Sequence, residues 1–431
     1  MHYVIVGGCA AGLNAVEGIR EVDGDGEITL ISAEPYLPYA RCLITNFLAG
    51  THNRQDLILQ QKEYFEKKKV HLLTGEPVTE ISYPEKKVKT SSGKKFSYDR
   101  LLLATGSKPK SLGIPGEEKE GVYHFWTLED ARKISERATG SQQALVFGGG
   151  LVGIKAACAL KKRGIDVQLL VKSGQILSQL INPEAATLIA ACLQANGIKI
   201  RTGVGPQEII GNKEMNGARL DNGETVPAQI AIIGKGVSPD KKLACHEKIN
   251  CQHGITVDEY LQTGLSDVFA AGDVAETKDF ITGEPAVHGL WLTAQEQGRI
   301  AGLNMAAARK KYPGSLAANA TEFFGLPLVT VGIVRPEKTD QIIEWQDRET
   351  WHYRRFILRN DTLVGFVMIA GQEINHAGFY TALIRSRVNL KNYRHLLGKD
   401  YFDYADLREK IEKNTGFRES LSPEGKQIFF I

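Results

Sequence analysis

The pattern that most constrains this chain occurs twice. Residues Tyr3 to Val6 form an apolar strand that runs into the glycine turn GGCAAG at 7–12, a helix from Leu13 to Val22 and a second strand from Ile28 to Ile31. The same order returns with Ala144 to Phe147, the turn GGGLVG at 148–153, a helix through Lys162 and the strand Val167 to Val171. Continuous apolar strands belong to parallel sheets covered on both faces. A glycine turn between such a strand and a helix aims unpaired backbone N–H groups at one point, where a pyrophosphate binds. One glycine motif alone would carry little weight, but two in this context imply two dinucleotide-binding lobes.

Composition agrees with a large soluble α/β protein. A chain of 431 residues implies two to four domains of roughly 100–200 residues each. Apolar residues at 42%, charged residues at 24% and 44 glycines describe a globular chain with many tight turns. The net charge of +3 demands neither nucleic acid nor anionic lipid as a partner. No apolar segment reaches the length of a membrane span. The cysteines at 9, 42, 158, 192, 245 and 251 form no C-x-x-C pair, so no metal site is expected and any redox centre is organic. The N-terminus opens on a strand without a secretory pattern, which makes a reducing cytoplasm the expected location.

Two later stretches complete a set. YDRLLLATGSKPK at 98–110 and ITVDEYLQTGLSDVFAAGDVAETKD at 255–279 each end a short strand in a polar-glycine turn. With these four motifs in order, the chain resembles the pyridine nucleotide-disulfide oxidoreductase superfamily from Met1 to about Arg387. Its nearest likeness is to rubredoxin reductases, the FAD lobe of nitrite reductases and coenzyme A-disulfide reductases. The resemblance implies an α/β fold with two Rossmann-like, three-layer domains, for FAD and NAD(P), and a C-terminal α+β domain. FAD binding falls to 1–111 and 246–320, NAD(P) binding to 112–245 and a sheet-based interface domain to 321–390. An Asn-Asp turn interrupts the alternating strands of that last domain. The extension 391–431 reads as a docking element or a helical cap.

Site residues follow from the same resemblance. Gly7, Gly8, Ala11 and Gly12 line the FAD turn, and Cys9 replaces its middle glycine as a packing residue. Glu34, about twenty residues past Gly12, stands where a carboxylate accepts from ribose hydroxyls. Arg41 is expected along the flavin, Val78, Ala104, Thr105 and Gly106 beside the nucleotide, and Gly272 and Asp273 at the ribityl chain. Trp291 is either a flavin neighbour or a core tryptophan. Gly148, Gly150, Leu151, Val152, Gly153 and Gly236 are assigned to NAD(P)H. The strand after this second turn ends in Val171 and Lys172 rather than an acid; NADH is the expected nucleotide, with NADPH left open by Lys172. Lys155 takes a place where the family commonly has glutamate, and is expected to supply positive charge near the flavin.

Cys42 decides between readings. No C-x-x-x-x-C pair is present, so glutathione reductase-type chemistry is excluded. Cys42 aligns with the single cysteine of NADH peroxidases and coenzyme A-disulfide reductases, yet its P-Y-x-R context matches rubredoxin reductases better. The preferred expectation is an FAD-dependent NAD(P)H:acceptor oxidoreductase working with an iron-sulfur or ferredoxin-like protein. It resembles the NADH-linked flavin subunits of phenylglyoxylate dehydrogenase-type complexes, which implies an oligomer or hetero-oligomeric assembly. The alternatives are a Cys42-dependent reductase of coenzyme A disulfide, persulfide or peroxide, and a non-catalytic flavoprotein sensor.

Overall fold

A computed structural model describes residues 1–244, 246–370, 372–397 and 404–415. The first glycine turn lies between β1 (His2–Val6) and α1 (Ala10–Arg20), which leads to β2 (Glu27–Ile31). Strands β3 (Val70–Leu73) and β4 (Arg100–Leu103) extend the sheet, and all its pairings are parallel. Alternate residues of β1 face opposite cores, as the period of a strand requires. Tyr3 and Ile5 pack with α1, whereas Val4 and Val6 face Tyr83, Val88 and Tyr98. The second face is therefore covered by a small antiparallel sheet of Val78–Ser82, Lys87–Thr90 and Lys95–Ser97.

The second copy is built alike. Its sheet contains β5 (Val122–His124), β6 (Gln143–Phe147), β7 (Asp166–Val171), β8 (Lys199–Thr202) and β9 (Ile230–Ile233), again all parallel. Helix α2 (Leu151–Lys162) follows the glycine turn, and α3 (Pro183–Ala195) precedes β8. The strand order is β8-β7-β6-β9-β5. A three-stranded antiparallel sheet from Pro206 to Pro227 packs Ile209, Met215 and Leu220 against Leu145 and Phe147.

The chain then completes the first sheet with β10 (Val268–Ala270), giving the order β10-β4-β1-β2-β3. The second sheet, counted from β5, has the same arrangement about its glycine-turn strand, except that its edge strand β5 comes first in the chain where β10 comes last. Helix α4 (Trp291–Met305) packs against α1 through small residues. A Cβ at Gly298 would fall 2.1 Å from the Ala11 carbonyl oxygen, and one at Gly302 would fall 2.2 Å from that of Ala15. Bare backbone at both positions is what permits the approach.

The C-terminal strands are antiparallel. They are β11 (Ala318–Phe323), β12 (Leu326–Gly332), β13 (Gln341–Asp347), β14 (His352–Arg359) and β15 (Thr362–Ile369), in the order β11-β12-β15-β14-β13. Asn360 and Asp361 make the β14–β15 turn with φ of +50° and +60°, the left-handed conformation that a tight hairpin needs. Helix α5 (Ala377–Ser386) seats Tyr380 on Phe356 and Phe366. Helix α6 spans Tyr404–Thr415. Residues 398–403 and 416–431 of the expected docking extension lie outside the described residues.

By its contacts the chain forms two compact units. One comprises Met1–Phe47, Thr51–Lys110 and Val237–Leu316; the other comprises Leu48–Gly50, Ser111–Gly236 and the chain from Ala317. The two glycine turns fall in different units, and the C-terminal strands share a unit with the second turn. Among the described residues no helix is long and apolar enough to cross a membrane.

Candidate functional site

The first turn is shaped by close backbone approach. Gly7 has φ of +121°, and a Cβ there would sit 2.0 Å from the Ala104 carbonyl oxygen. A Cβ at Gly12 would sit 1.9 Å from the Gly7 carbonyl oxygen, so the helix can start beneath the strand only with glycine at both ends. Cys9 is the N-cap residue of α1; no side chain caps this end among the described residues, and no acid occupies its first turn. The leading N–H groups thus remain open to an anion. Burial pushes the Cys9 thiol up, against the opposing charge of Arg41, and keeps it protonated.

Arg41 joins several of the expected residues. Its Nη2 donates to Glu34 Oε1 at 2.6 Å, and the Tyr39 hydroxyl donates to Glu34 Oε2 at 2.7 Å. Each carboxylate oxygen keeps a further lone pair for a ligand hydroxyl. Asp273 follows Gly272, whose φ is +81°, and accepts a 2.9 Å hydrogen bond from Ser107. Burial raises the Asp273 pKa, opposed by that hydrogen bond and by Arg41. Gly289 lies against the same carboxylate, since a Cβ there would fall 3.2 Å from it. Thr105 Oγ1 donates to the Asp240 carbonyl at 2.8 Å, and Gly106 has φ of +70°. Val78 opens the covering sheet, and Trp291 begins α4, partly buried against the core that includes α1.

Sequence reading missed two supporting residues. Ser107 directly follows the Thr105-Gly106 turn and was available from that motif. Gln297 accepts the Gly272 N–H at 2.7 Å and donates to Ser315 at 3.1 Å, and it is 1% exposed. A glutamine on the core face of a helix is the signal that could have found it, because a buried amide needs partners.

The second turn has a more open mouth. Gly148 has φ of +119° and packs on the Gly234 carbonyl, and a Cβ at Gly153 would meet the Gly148 oxygen at 2.2 Å. At Gly150, the N-cap residue of α2, a Cβ would meet nothing within 4 Å. Backbone is bare there where a diphosphate would approach, the place that Cys9 takes in the first turn. Leu151 and Val152 start α2, and Gly236, with φ of +86°, follows the exit of β9. Lys172 is paired with Asp221 at 2.5 Å. Lys155 donates to the Glu322 carbonyl at 3.2 Å and lies over the Phe323 ring, both on β11.

Cys42 is exposed, in no disulfide, and sits in the single turn Arg41–Leu43. Among the described residues no cluster of three or more metal-capable side chains occurs.

Two parallel sheets with the same arrangement about the glycine-turn strand, each opening an uncapped helix through that turn, define a protein built to hold two dinucleotides. The chain belongs to the pyridine nucleotide-disulphide oxidoreductase family, whose sequence model matches residues 1–298. It is 29% identical to the assimilatory nitrate reductase electron transfer subunit of Bacillus subtilis over 85% of this chain, and spans 47% of that protein. The chain thus covers less than half the length of that relative. It is also 29% identical to the NADH-dependent phenylglyoxylate dehydrogenase subunit epsilon of Aromatoleum evansii, covering 91% of this chain and 93% of that one. The rubredoxin-NAD(+) reductase of Pseudomonas putida is 28% identical over 66% of this chain and 74% of its own. A ferredoxin reductase structure from Rhodopseudomonas palustris shares the fold with a TM-score of 0.86 at 22% identity, covering 95% of this chain and 99% of that chain.

Proposed function

We propose that this chain oxidises or reduces NAD(P)(H) through bound FAD and exchanges the electrons with an iron-sulfur protein. The observation that carries the reading is the pair of glycine turns, each with bare backbone at its close contacts and an uncapped helix start, in one chain of this family. FAD supplies a ring that takes a hydride from nicotinamide and can release electrons singly. The protein's share is binding and orientation. Gly7 and Gly12 form the diphosphate turn, and Glu34, fixed by Arg41 and Tyr39, presents its carboxylate to ribose hydroxyls. Asp273, oriented by Ser107, accepts from the ribityl chain. Gly150 leaves the nicotinamide nucleotide's diphosphate its approach to α2.

The partner's class rests on the relatives. One is named as an electron transfer subunit, one as a rubredoxin reductase, and one as the epsilon subunit of an NADH-dependent dehydrogenase. Near end-to-end coverage of that epsilon subunit favours membership of a larger 2-oxoacid dehydrogenase-like complex. The test is anaerobic mixing of the FAD-loaded chain with NADH or NADPH, followed by a viologen or ferricyanide acceptor, with copurification from the native host. Bleaching of the flavin band, acceptor turnover and copurifying iron-sulfur polypeptides are expected. A chain that stays colourless with FAD, or copurifies with none, overturns the corresponding half of the proposal.

The exposure of Cys42 beside Arg41 supports a second reading, reduction of a disulfide, persulfide or peroxide. A Cys42→Ser variant separates the two, because only the second activity requires the thiol.

A further inference from the structure

A cleft of about 740 Å³ adjoins the end of β7, lined by Ser173, Gln175, Ser178, Asn182, Glu184, Arg335 and Arg355 among others. Its position follows from the loop that forms one wall. The Leu177 N–H donates to the Gly149 carbonyl at 2.7 Å, which pins the loop onto the second glycine turn. In a dinucleotide fold the residue ending the second strand faces the adenosine ribose, and an acid there binds the 2′-hydroxyl. Here that residue is Val171. Asp221 stands near it but is neutralised by Lys172 at 2.5 Å and by the Gly205 N–H at 3.2 Å.

The cleft wall is cationic. Arg335 is exposed and its Nη2 donates to the Ser178 carbonyl at 2.7 Å, so the guanidinium is tied to the loop. Among the described residues it has no carboxylate partner. Arg355 is 8% exposed and its Nε has no hydrogen-bond partner, and Asn182, also 8% exposed, leaves Oδ1 unpartnered. Glu184 is the cleft's one acid. It is occupied by its own backbone N–H, by the Asn182 amide and by the charge of Arg355, which together hold its carboxyl below the usual range. The charge left over is Arg335.

We infer that this cleft receives the 2′-phosphate of NADPH, and that Arg335 is the residue that distinguishes NADPH from NADH. A planar guanidinium matches a phosphate in geometry as well as charge. Ser178 lines the same wall, while the Ser173 hydroxyl is taken up by the Gln175 carbonyl at 2.9 Å. The assignment rests on the second glycine turn binding a nicotinamide nucleotide, and it moves the balance from NADH, the nucleotide expected from sequence, to NADPH.

The test separates the inference from that reading by measuring binding without turnover. The affinities of 2′,5′-ADP and 5′-ADP for the purified chain are compared by calorimetry, for the native protein, Arg335→Ala and Arg335→Lys. A charge-assisted contact implies that the native chain prefers 2′,5′-ADP by about tenfold or more. The preference should fall to near unity in Arg335→Ala and be partly kept in Arg335→Lys. Equal binding of both ligands by the native chain, or an unchanged ratio in Arg335→Ala, overturns the inference. Failure to bind either ligand overturns it together with the dinucleotide reading of this turn. Steady-state kcat/KM for NADPH over NADH should move with the same substitution.

Discussion

Arg41 and Glu34 are tied at 2.6 Å, with side chains only 23% and 25% exposed. The pair places the arginine at the carboxylate expected to bind the adenosine ribose, and its field also reaches Cys9 and Asp273. Replacing Arg41 with alanine leaves Glu34 without its cation. Flavin affinity should fall by about 1–3 kcal/mol, roughly 5- to 150-fold, measured as the FAD dissociation constant of the refilled apoprotein. An affinity within a factor of two of the native value would show that Arg41 is only a surface partner.

Asp273 carries a cost that a ligand should relieve. Burial raises its pKa from 3.8, so the native fold disfavours the ionised form. The apo chain therefore keeps this part of its stability below about pH 4 and loses it as pH rises through the shifted value. Asp273→Asn removes the cost and the acceptor together. The apo variant should melt above the native apoprotein at neutral pH, while its FAD affinity falls by about 1–3 kcal/mol. A variant that melts lower would remove the proposed trade between stability and binding.

The two glycine turns and their parallel sheets were legible because unbroken apolar strands and glycine spacing are local signals. What covers the second face of each sheet was not: alternation in short strands such as Lys87–Thr90 does not say which sheet they join. Site geometry split in the same way. Glu34 and Asp273 were marked by motifs, but the Arg41–Glu34 pairing depends on how the intervening loop folds. Lys155 meets Glu322, 167 residues away, and Lys172 meets Asp221, 49 residues away; no spacing rule connects them. Gln297 was hidden because its partners, Gly272, Thr277 and Ser315, lie 25, 20 and 18 residues away along the chain.

Gly150 and Gly153 separate binding from folding. At Gly153 a Cβ would lie 2.2 Å from the Gly148 carbonyl oxygen, a backbone clash that repacking cannot remove cheaply. Gly153→Ala should destabilise the chain by about 2 kcal/mol or more in urea unfolding. Gly150 has φ of −83° and open space at its Cβ, so Gly150→Ala should fold with nearly native stability. Its added methyl would stand instead on the proposed approach of the diphosphate, and the KM for the nicotinamide nucleotide should rise about tenfold. Comparable losses of stability in both variants would mean that the second turn is only structural.

Asp279 and His288 close a strap beside the proposed flavin site. His288 Nε2 lies 2.9 Å from Asp279 Oδ2, while Asp279 Oδ1 accepts from the backbone N–H groups of Ile281 and Thr282 and the Thr282 hydroxyl. Gly289, the next residue, rests on the Asp273 carboxylate. Burial would raise the Asp279 pKa, but these hydrogen bonds outweigh it and bring it to about 2, against an ordinary 3.8. Because the folded value is depressed, the stabilisation is complete above about pH 4 and disappears as pH falls through 2. The difference corresponds to about 2 kcal/mol. Asp279→Asn should lose that amount at neutral pH and show a flatter acid limb in urea unfolding at stepped pH. If the strap also holds Gly289 against Asp273, the variant should release FAD faster than the native protein. Equal acid limbs would exclude the electrostatic role, and equal release rates would confine the pair to local folding.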